Sequence, residues 1–211
     1  MNKLFIMNRD NMTLVAGIVK SVREGSGASA GRVVNVKIEG AVWNKEKSVE
    51  EVKTLDIAFW NSDADGKKKL ADRVLKAGVK VGNFITALVI LKEDDKANGI
   101  NFKYSGLWKF PAHDDQKEVN VFVGPVCSLD EHECASGKFV KISMPVKDRD
   151  GNTEWHRITL WNNDSAAMAD RAKTCLKPRA DGTKTQAIVI CGENVPYNDN
   201  PSYTGFRFEL I

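Results

Sequence analysis

Apolar and polar residues alternate along most of the longer segments of this chain, which predicts β-strands. The clearest segment is TEWHRITLW, which begins at Thr153, because successive side chains of a strand point to opposite faces. One face carries His156, Ile158 and Leu160. The other face carries Trp155, Arg157, Thr159 and Trp161. The first face predicts a core contact with one polar member, whereas the second presents two large aromatic rings and a cation to solvent.

The preceding segment, GKFVKISMPV, begins at Gly137 and alternates in the same way. Its predicted core face consists of Val140, Ile142 and Met144. Its predicted outward face consists of Phe139, Lys141 and Ser143. The polar stretch KDRDGN that follows predicts a hairpin, and it carries Lys147 and Arg149. Aromatic rings and cations from both strands and from the hairpin therefore share one predicted surface.

The two halves of the chain resemble each other in ordered pairs of segments at an offset of about one hundred residues. The pairs are 14–17 with 121–124, 31–36 with 137–142, 56–61 with 157–162, 71–73 with 169–171, 86–90 with 186–190, and 104–106 with 203–205. Because the order is kept throughout, the pattern predicts two copies of one structural unit.

Each half contains, in order, a strand, a loop, two strands around a polar hairpin, one short amphipathic helix, and two further strands. The hairpins are expected at 44–53 and 147–151, and the helices at about 68–76 and 166–176. Short strands separated by turns predict a small barrel, and one helix between the third and fourth strands predicts an OB-fold. We therefore expect an all-β protein with two tandem OB-fold barrels, 1–111 and 112–211, joined by a linker at 113–117.

Composition and charge limit the partners and the cellular location that we expect for this protein. The chain has 211 residues and a net charge of +3, which permits a polyanionic partner without requiring one. No run approaches the roughly 20 apolar residues that span a bilayer. The N-terminal MNKLFIMNRD reaches charged residues too early for a secretory signal. We expect a cytoplasmic protein without a membrane partner.

Signals for catalysis are missing from the sequence. It contains no HExxH or GxxxxGK[ST] pattern. Cys127, His132 and Cys134 lack a fourth ligand at a suitable spacing, and none of the four cysteines forms a CxxC pair, which is typical of reduced cytosolic thiols. We expect no enzymatic activity, no cofactor and no metal.

From Val119 onward the sequence resembles the bacterial single-stranded DNA-binding proteins. The resemblance rests on VNVFVG, ASGKFVKISMPV, the KDRDGN hairpin, TEWHRITLW and the helix after it. It implies an OB-fold that wraps single-stranded DNA, with Trp155 and Trp161 at stacking positions and Arg157 on the DNA face. It also implies a hairpin aromatic, for which Tyr197 is a shifted counterpart, and matches His156 to a histidine of subunit contacts. The family's glycine-rich tail with an acidic tip has no match, so its recruitment function is not expected.

Two interpretations of the outward aromatic face stay open. Bases can stack on Trp155, Trp161 and Tyr197 while cations hold the phosphates. Those cations are Arg157, Lys141, Lys147 and Arg149. Alternatively, the face covers a barrel, a subunit or a partner protein, because aromatic residues are equally typical of protein interfaces. The first interpretation predicts non-sequence-specific binding of single-stranded DNA, or of RNA, in replication, recombination or mobile-element transfer; the second predicts an OB-fold protein-interaction module.

The first half departs from this pattern in its matching strand, KTLDIAFWN. Trp60 is kept, but Thr54 and Asp56 stand where the second half has Trp155 and Arg157. An outward carboxylate repels phosphates, so we expect the second barrel to bind more tightly. The remaining candidate contacts of the first half are Trp43 and Lys37. Because the resembling family assembles four barrels, the repeat also predicts a homodimer.

Overall fold

The computed structural model describes residues 2–9, 12–63, 69–93, 96–103, 106–111, 118–147, 152–163, 166–178 and 181–210. The chain divides into two compact units, Met1–Tyr104 and Ser105–Ile211, and each unit has its own β-sheet. Within the described residues, neither of the two helices is long and apolar enough to cross a membrane.

The first unit is a closed barrel. Its elements are β1 (Phe5–Arg9), β2 (Met12–Glu24), β3 (Val33–Asn44), β4 (Val49–Trp60), α1 (Leu70–Lys76), β5 (Phe84–Lys92) and β6 (Lys96–Lys103). The strands follow the order β2-β3-β4-β6-β5, and β5 pairs back with β2. Only the β4–β6 pair is parallel among the described pairings of this sheet. This order, with one helix between the third and fourth barrel strands, is that of an OB-fold.

The second unit repeats this plan. Its elements are β7 (Gly106–Pro111), β8 (Glu118–Pro125), β9 (Ser128–Cys134), β10 (Gly137–Lys147), β11 (Thr153–Asn163), β12 (Ala166–Ala167), α2 (Met168–Cys175), β13 (Gln186–Asn194) and β14 (Ser202–Leu210). The parallel pair is β11–β14, and α2 again precedes the fourth barrel strand. The predicted fold class, all-β with two tandem OB-fold barrels, is confirmed.

The first barrel strand of the second unit is divided into β8 and β9. β8 pairs with β13, whereas β9 pairs with β10. Between them, the Val126 N–H donates to the Thr185 carbonyl at 2.8 Å and the Cys127 N–H donates to the Ser143 carbonyl at 2.9 Å. Pro125 is the last residue of β8 and has no N–H to donate. The two consecutive bonds to opposite neighbours carry the pairing across the break.

The cores follow the predicted alternation. Ile158 and Leu160 are fully buried, and His156 is buried beside them. The corresponding residues of the first unit, which are also buried, are Leu55, Ile57 and Phe59. Each barrel therefore closes around one apolar cluster and leaves the opposite face of its strands available.

An asparagine at the end of the third barrel strand fixes each helix. Asn61 Nδ2 donates to Asp72 Oδ1 at 2.7 Å, and the Asp72 N–H donates to Asn61 Oδ1 at 3.2 Å. Asn162 makes the same pair of bonds with Asp170 at 2.8 and 3.2 Å. These contacts satisfy backbone donors at the first turn of the helix, which otherwise lack partners. The sequence match of 71–73 with 169–171 thus reflects the same asparagine–aspartate hydrogen bonds in both units.

Strand β7 lies in a different unit from the one that the sequence suggests. The predicted boundary falls between 111 and 112, which assigns Trp108 to the first barrel. In the structure, β7 pairs with β8 from Gly106↔Val123 to Pro111↔Glu118, and the contacts divide the chain between Tyr104 and Ser105. β1 pairs with β2 in the same manner, so each barrel has an extra strand on its first barrel strand. The predicted linker, 113–117, lies outside the described residues.

Candidate nucleic-acid interface

The outward face of β10 and β11 brings the predicted aromatic and cationic residues of the second barrel together. Four pairs of directly opposite residues build it: Phe139↔Trp161, Lys141↔Thr159, Ser143↔Arg157 and Pro145↔Trp155. The strand alternation fixes this arrangement, since the residues between these pairs point into the core. Trp155 is 55% exposed, so its ring is available to a partner in this barrel.

Three aromatic rings form a row across β9, β10 and β11. The rings of His132 and Phe139 stack, with centroids 4.9 Å apart and planes within 14°. Phe139 also contacts Trp161 at 4.3 Å, with the planes tilted by 35°. This packing leaves Trp161 partly buried and presents its ring in a fixed orientation. Phe139 was not among the predicted site residues, although the alternation places it on the outward face.

The hairpin between β13 and β14 positions Tyr197 over the same face. Tyr197 and Asn200 exchange backbone hydrogen bonds at 3.0 and 3.1 Å, and Asn198 and Asp199 have φ of 49° and 60°. Two central residues with positive φ define a type I′ turn, for which asparagine and aspartate are suited. Lys141 Nζ lies 5.6 Å from the Tyr197 ring centroid and 5.8 Å from that of Phe139. These distances are within the range of cation–π attraction.

These residues enclose an open groove of about 340 Å³. The side chains that carry its chemistry are Phe139, Lys141, Arg157, Trp161 and Tyr197. Trp155 lies further along the same strand face and does not line the groove. Lys147 occupies the last position of β10, opposite Thr153, but its side chain lies outside the described residues, as does all of Arg149. The groove thus joins aromatic surfaces to two cations.

His156 lies on the opposite, buried face of β11. Its ring packs against Phe122 and Tyr203 at 5.2 and 5.7 Å between centroids. Its Nε2 is 3.5 Å from a Glu154 carboxylate oxygen. Burial lowers the pKa of His156, and the Glu154 carboxylate opposes this shift. Since burial disfavours the charged form, His156 contributes no full positive charge to the groove at neutral pH.

The first barrel has a groove of about 650 Å³ at the equivalent place. Its charged residues are Arg23, Lys37, Asp56, Lys92 and Lys96, and Trp60 is its one aromatic residue. Lys37 Nζ lies 3.5 Å from Asp56 Oδ2, so the outward carboxylate noted in the sequence is paired within its own groove. Trp60 faces Val33 across the ladder and is 44% exposed. The sequence predicted Lys37 and Trp60 here but did not predict Arg23, Lys92 and Lys96.

Trp43 lies away from this groove. The ladder of β3 and β4 continues without interruption to Asn44↔Val49, so the predicted polar hairpin at 44–53 consists largely of paired strand. Trp43 pairs with Glu50 near the tip of this ribbon and is 57% exposed. Val52, two residues from Glu50, is 54% exposed. The structure therefore does not bring Trp43 together with Lys37 and Trp60.

Comparisons with known proteins give weak similarities. No protein-family model matches the chain, and no curated protein sequence matches it. Two crystal forms of the mitochondrial single-stranded DNA-binding protein of S. cerevisiae align with 44% of this chain and with 92% and 94% of their own, at 21% and 22% identity and a TM-score of 0.34. A deletion variant of the single-stranded DNA-binding protein from Thermus aquaticus aligns with 99% of this chain and 95% of its own, at 11% identity and a TM-score of 0.35. The OB-fold assignment therefore rests on strand order and pairing.

Proposed function

We propose that this protein binds single-stranded DNA without sequence preference on the outward face of its second barrel. The observation that carries the proposal is the Phe139–Trp161 contact at 4.3 Å in an open groove with Tyr197, Lys141 and Arg157. Every base has a π-face, so aromatic rings held in fixed orientations bind bases regardless of sequence, and nearby cations attract the phosphates. Trp155 extends the aromatic surface along the same face, because residues two apart on a strand share a face.

The inward neighbours of the groove residues on β10 and β11 are core side chains, and His156 is the polar residue among them. Burial lowers the pKa of His156, which favours its neutral form. Arg157 is exposed, and no hydrogen bond or ion pair of its side chain is present among the described residues. An exposed guanidinium between two tryptophans on one strand face suits a phosphate between stacked bases.

A titration with oligo-dT tests this proposal through intrinsic tryptophan fluorescence. We expect quenching on binding, and Trp155→Ala should weaken binding by about 1–3 kcal/mol, the usual contribution of one stacked base. Phe206→Ala is a control for the loss of an exposed ring as such, because Phe206 is also 55% exposed in this barrel but lies on β14 and not on the face of β10 and β11. Unquenched wild-type fluorescence, or equal affinities of the Trp155 variant and wild type, contradicts the proposal.

A second candidate function, a protein-interaction module, is favoured by the β3–β4 ribbon. Its exposed Trp43 and Val52 lie on one strand face beside Glu50, and exposed apolar side chains of this kind are typical of protein contacts. Unquenched tryptophan fluorescence in the presence of oligo-dT, together with self-association in light scattering that Trp43→Ala abolishes, would favour this function over the first.

The proposal also includes a role in replication, recombination or mobile-element transfer in the cytoplasm, with RNA as a second nucleic-acid ligand. Support for these roles comes from the family resemblance of the sequence from Val119 onward. The internal repeat and the four-barrel assembly of that family support a homodimer, and a monomer mass in light scattering at micromolar concentration would contradict it.

A further inference from the structure

Among the residues that the structure describes, four cations and one carboxylate line the groove of the first barrel, whereas two cations and no carboxylate line the groove of the second. The aromatic content is reversed among the described residues, since Trp60 is the aromatic residue of the first groove and four aromatic residues line the second. We infer that the first groove is a separate site for a phosphate chain, which it holds largely independently of the bases. This inference rests on the proposed function and deepens it.

The cations of the first groove come from four different strands. Arg23 lies on β2, directly opposite Asn35 of β3, and Lys37 is the next outward residue of β3. Lys92 and Lys96 lie on β5 and β6 at the far side of the groove. Closure of the barrel is what brings them around one concave surface. Phosphate oxygens of one chain passing through this surface would meet cations on both sides.

Lys92 and Lys96 are directly opposite each other in the antiparallel β5–β6 pair. Like charges in this arrangement destabilise a sheet. No ion pair or hydrogen bond of Arg23, Lys92 or Lys96 side chains is present among the described residues. The loop between Lys92 and Lys96 contains Asp94 and Asp95, which lie outside the described residues. An anion between the two lysines would remove the repulsion, as expected for a site adapted to phosphates.

Asp56 does not abolish this site, because Lys37 lies 3.5 Å from it and offsets its charge. Asp56 is also directly opposite Lys96 in the parallel β4–β6 pair, but among the described residues no ion pair joins Arg23, Lys92 or Lys96 to a carboxylate. The second barrel shows the converse arrangement. The position equivalent to Arg23 is Asp130, which is directly opposite Lys141. Among the described residues the first groove is thus the more cationic of the two, despite Asp56.

The experiment uses the full chain and measures the slope of log K against log salt for oligo-dT. Each phosphate contact of a single strand contributes roughly 0.7 to this slope, so Arg23→Ala/Lys92→Ala/Lys96→Ala should reduce its magnitude by up to about 2. Trp161→Ala should weaken binding without changing the slope. A second probe is an abasic deoxyribose-phosphate chain of equal length, for which the triple variant should lose about tenfold or more in affinity at low salt.

Two controls separate the groove from general charge and from folding. Lys45→Ala/Lys76→Ala/Lys80→Ala removes three exposed lysines of the same barrel that do not line the groove, and it should change the slope less. Arg23→Lys/Lys92→Arg/Lys96→Arg keeps the charges and should keep the slope. An unchanged slope in the alanine triple variant, or an equal change in the lysine control, overturns the inference. Wild-type protein that binds oligo-dT but not the abasic chain also overturns it, whereas failure to bind oligo-dT contradicts the proposed function itself.

Discussion

At the same position of the two barrels, Trp60 lies opposite Val33 and Trp161 lies opposite Phe139. The second pair provides two aromatic rings in contact at the groove, whereas the first provides one. One residue pair further along, the first barrel has Asn35 and Ala58, and the second has Lys141 and Thr159. The next pair is Lys37 with Asp56 in the first barrel and Ser143 with Arg157 in the second. Each barrel thus places a different chemistry on identical backbone positions.

The difference shows which parts of a repeated fold are constrained by the barrel itself. Both units have a mostly apolar inward face, the same asparagine–aspartate hydrogen bonds to the helix and one parallel strand pair, although single inward residues differ, such as Leu55 and His156. The outward residues have no role in closing the barrel, so they are free to differ. Division into an aromatic groove and a cationic groove would let one chain hold bases and phosphates at separate sites.

The largest expected effect comes from the equivalent tryptophans. Trp161→Ala should weaken oligo-dT binding by about 1–3 kcal/mol, because it removes one ring of the Phe139–Trp161 pair. Trp60→Ala should cost less than about 1 kcal/mol if the first groove binds mainly phosphates. Fluorescence anisotropy of a labelled oligo-dT measures both, with circular dichroism as a check on folding. Equal losses in the two variants would remove the proposed distinction between the grooves.

A smaller effect is expected on stability, from two equivalent glycines. A methyl group at Gly99 would collide with the ring of Phe59, and one at Gly205 would meet the end of the Leu160 side chain. Because an aromatic ring cannot move aside as a leucine can, we expect Gly99→Ala to cost about 1–3 kcal/mol of unfolding free energy and Gly205→Ala less. Urea denaturation measures both changes.

Gly192→Ala is the control for this pair, since nothing lies within 4 Å of a methyl group there. If Gly205→Ala lowers the free energy of unfolding more than Gly99→Ala does, the close contacts with Phe59 and Leu160 do not determine the relative losses of stability. A loss in the Gly192 variant would point instead to the backbone effect of replacing glycine.

These glycines also show what the repeat in the sequence could and could not predict. The match of 56–61 with 157–162 is correct, because Ile57 pairs with Ala97 as Ile158 pairs with Tyr203. The same pairings make Gly205 equivalent to Gly99, so the match of 104–106 with 203–205 is wrong. Glycine is needed at these two positions because a side chain would collide with the Phe59 ring at Gly99 and with Leu160 at Gly205. Such contacts between residues far apart in sequence leave no local pattern.

The match of 86–90 with 186–190 is also wrong, by two residues. Leu14 pairs with Leu88, and its equivalent Val121 pairs with Ile190. Both segments are continuous apolar runs, in which alternation cannot fix the register. By contrast, the alternating strands 33–44 and 137–147 gave the correct inward and outward faces, and this is why the residues of the second groove were largely predictable.

The cationic groove was not predictable in the same way. Lys37 could be identified as an outward residue, but Arg23, Lys92 and Lys96 lie on other strands and converge only when the barrel closes. Asp56 was interpreted as a repulsive group because its partner, Lys37, is far from it in sequence. The expectation that the second barrel binds more tightly stays a prediction, and the structure changes the charge argument on which it depended.

The smallest expected effect comes from Asp56 itself. Asp56→Asn keeps the shape of the side chain and removes the charge that pairs with Lys37 at 3.5 Å. Both groups are about half exposed, so their mutual attraction is worth only about 0–1 kcal/mol and stability should change little. We expect oligo-dT binding to strengthen by less than about 1 kcal/mol at low salt, because Lys37 becomes available to phosphates.

The affinity for oligo-dT and the slope of log K against log salt together show how Asp56 affects binding. If Lys37 gains a phosphate contact, the magnitude of the slope should rise by roughly 0.7, while Glu39→Gln, which releases Lys20 outside the groove, should change it less. A rise in affinity without a steeper slope would mean that Asp56 acts only by repulsion at a distance. No change in either quantity would mean that the strand of DNA does not pass Lys37, and the phosphate path would then be confined to Arg23, Lys92 and Lys96.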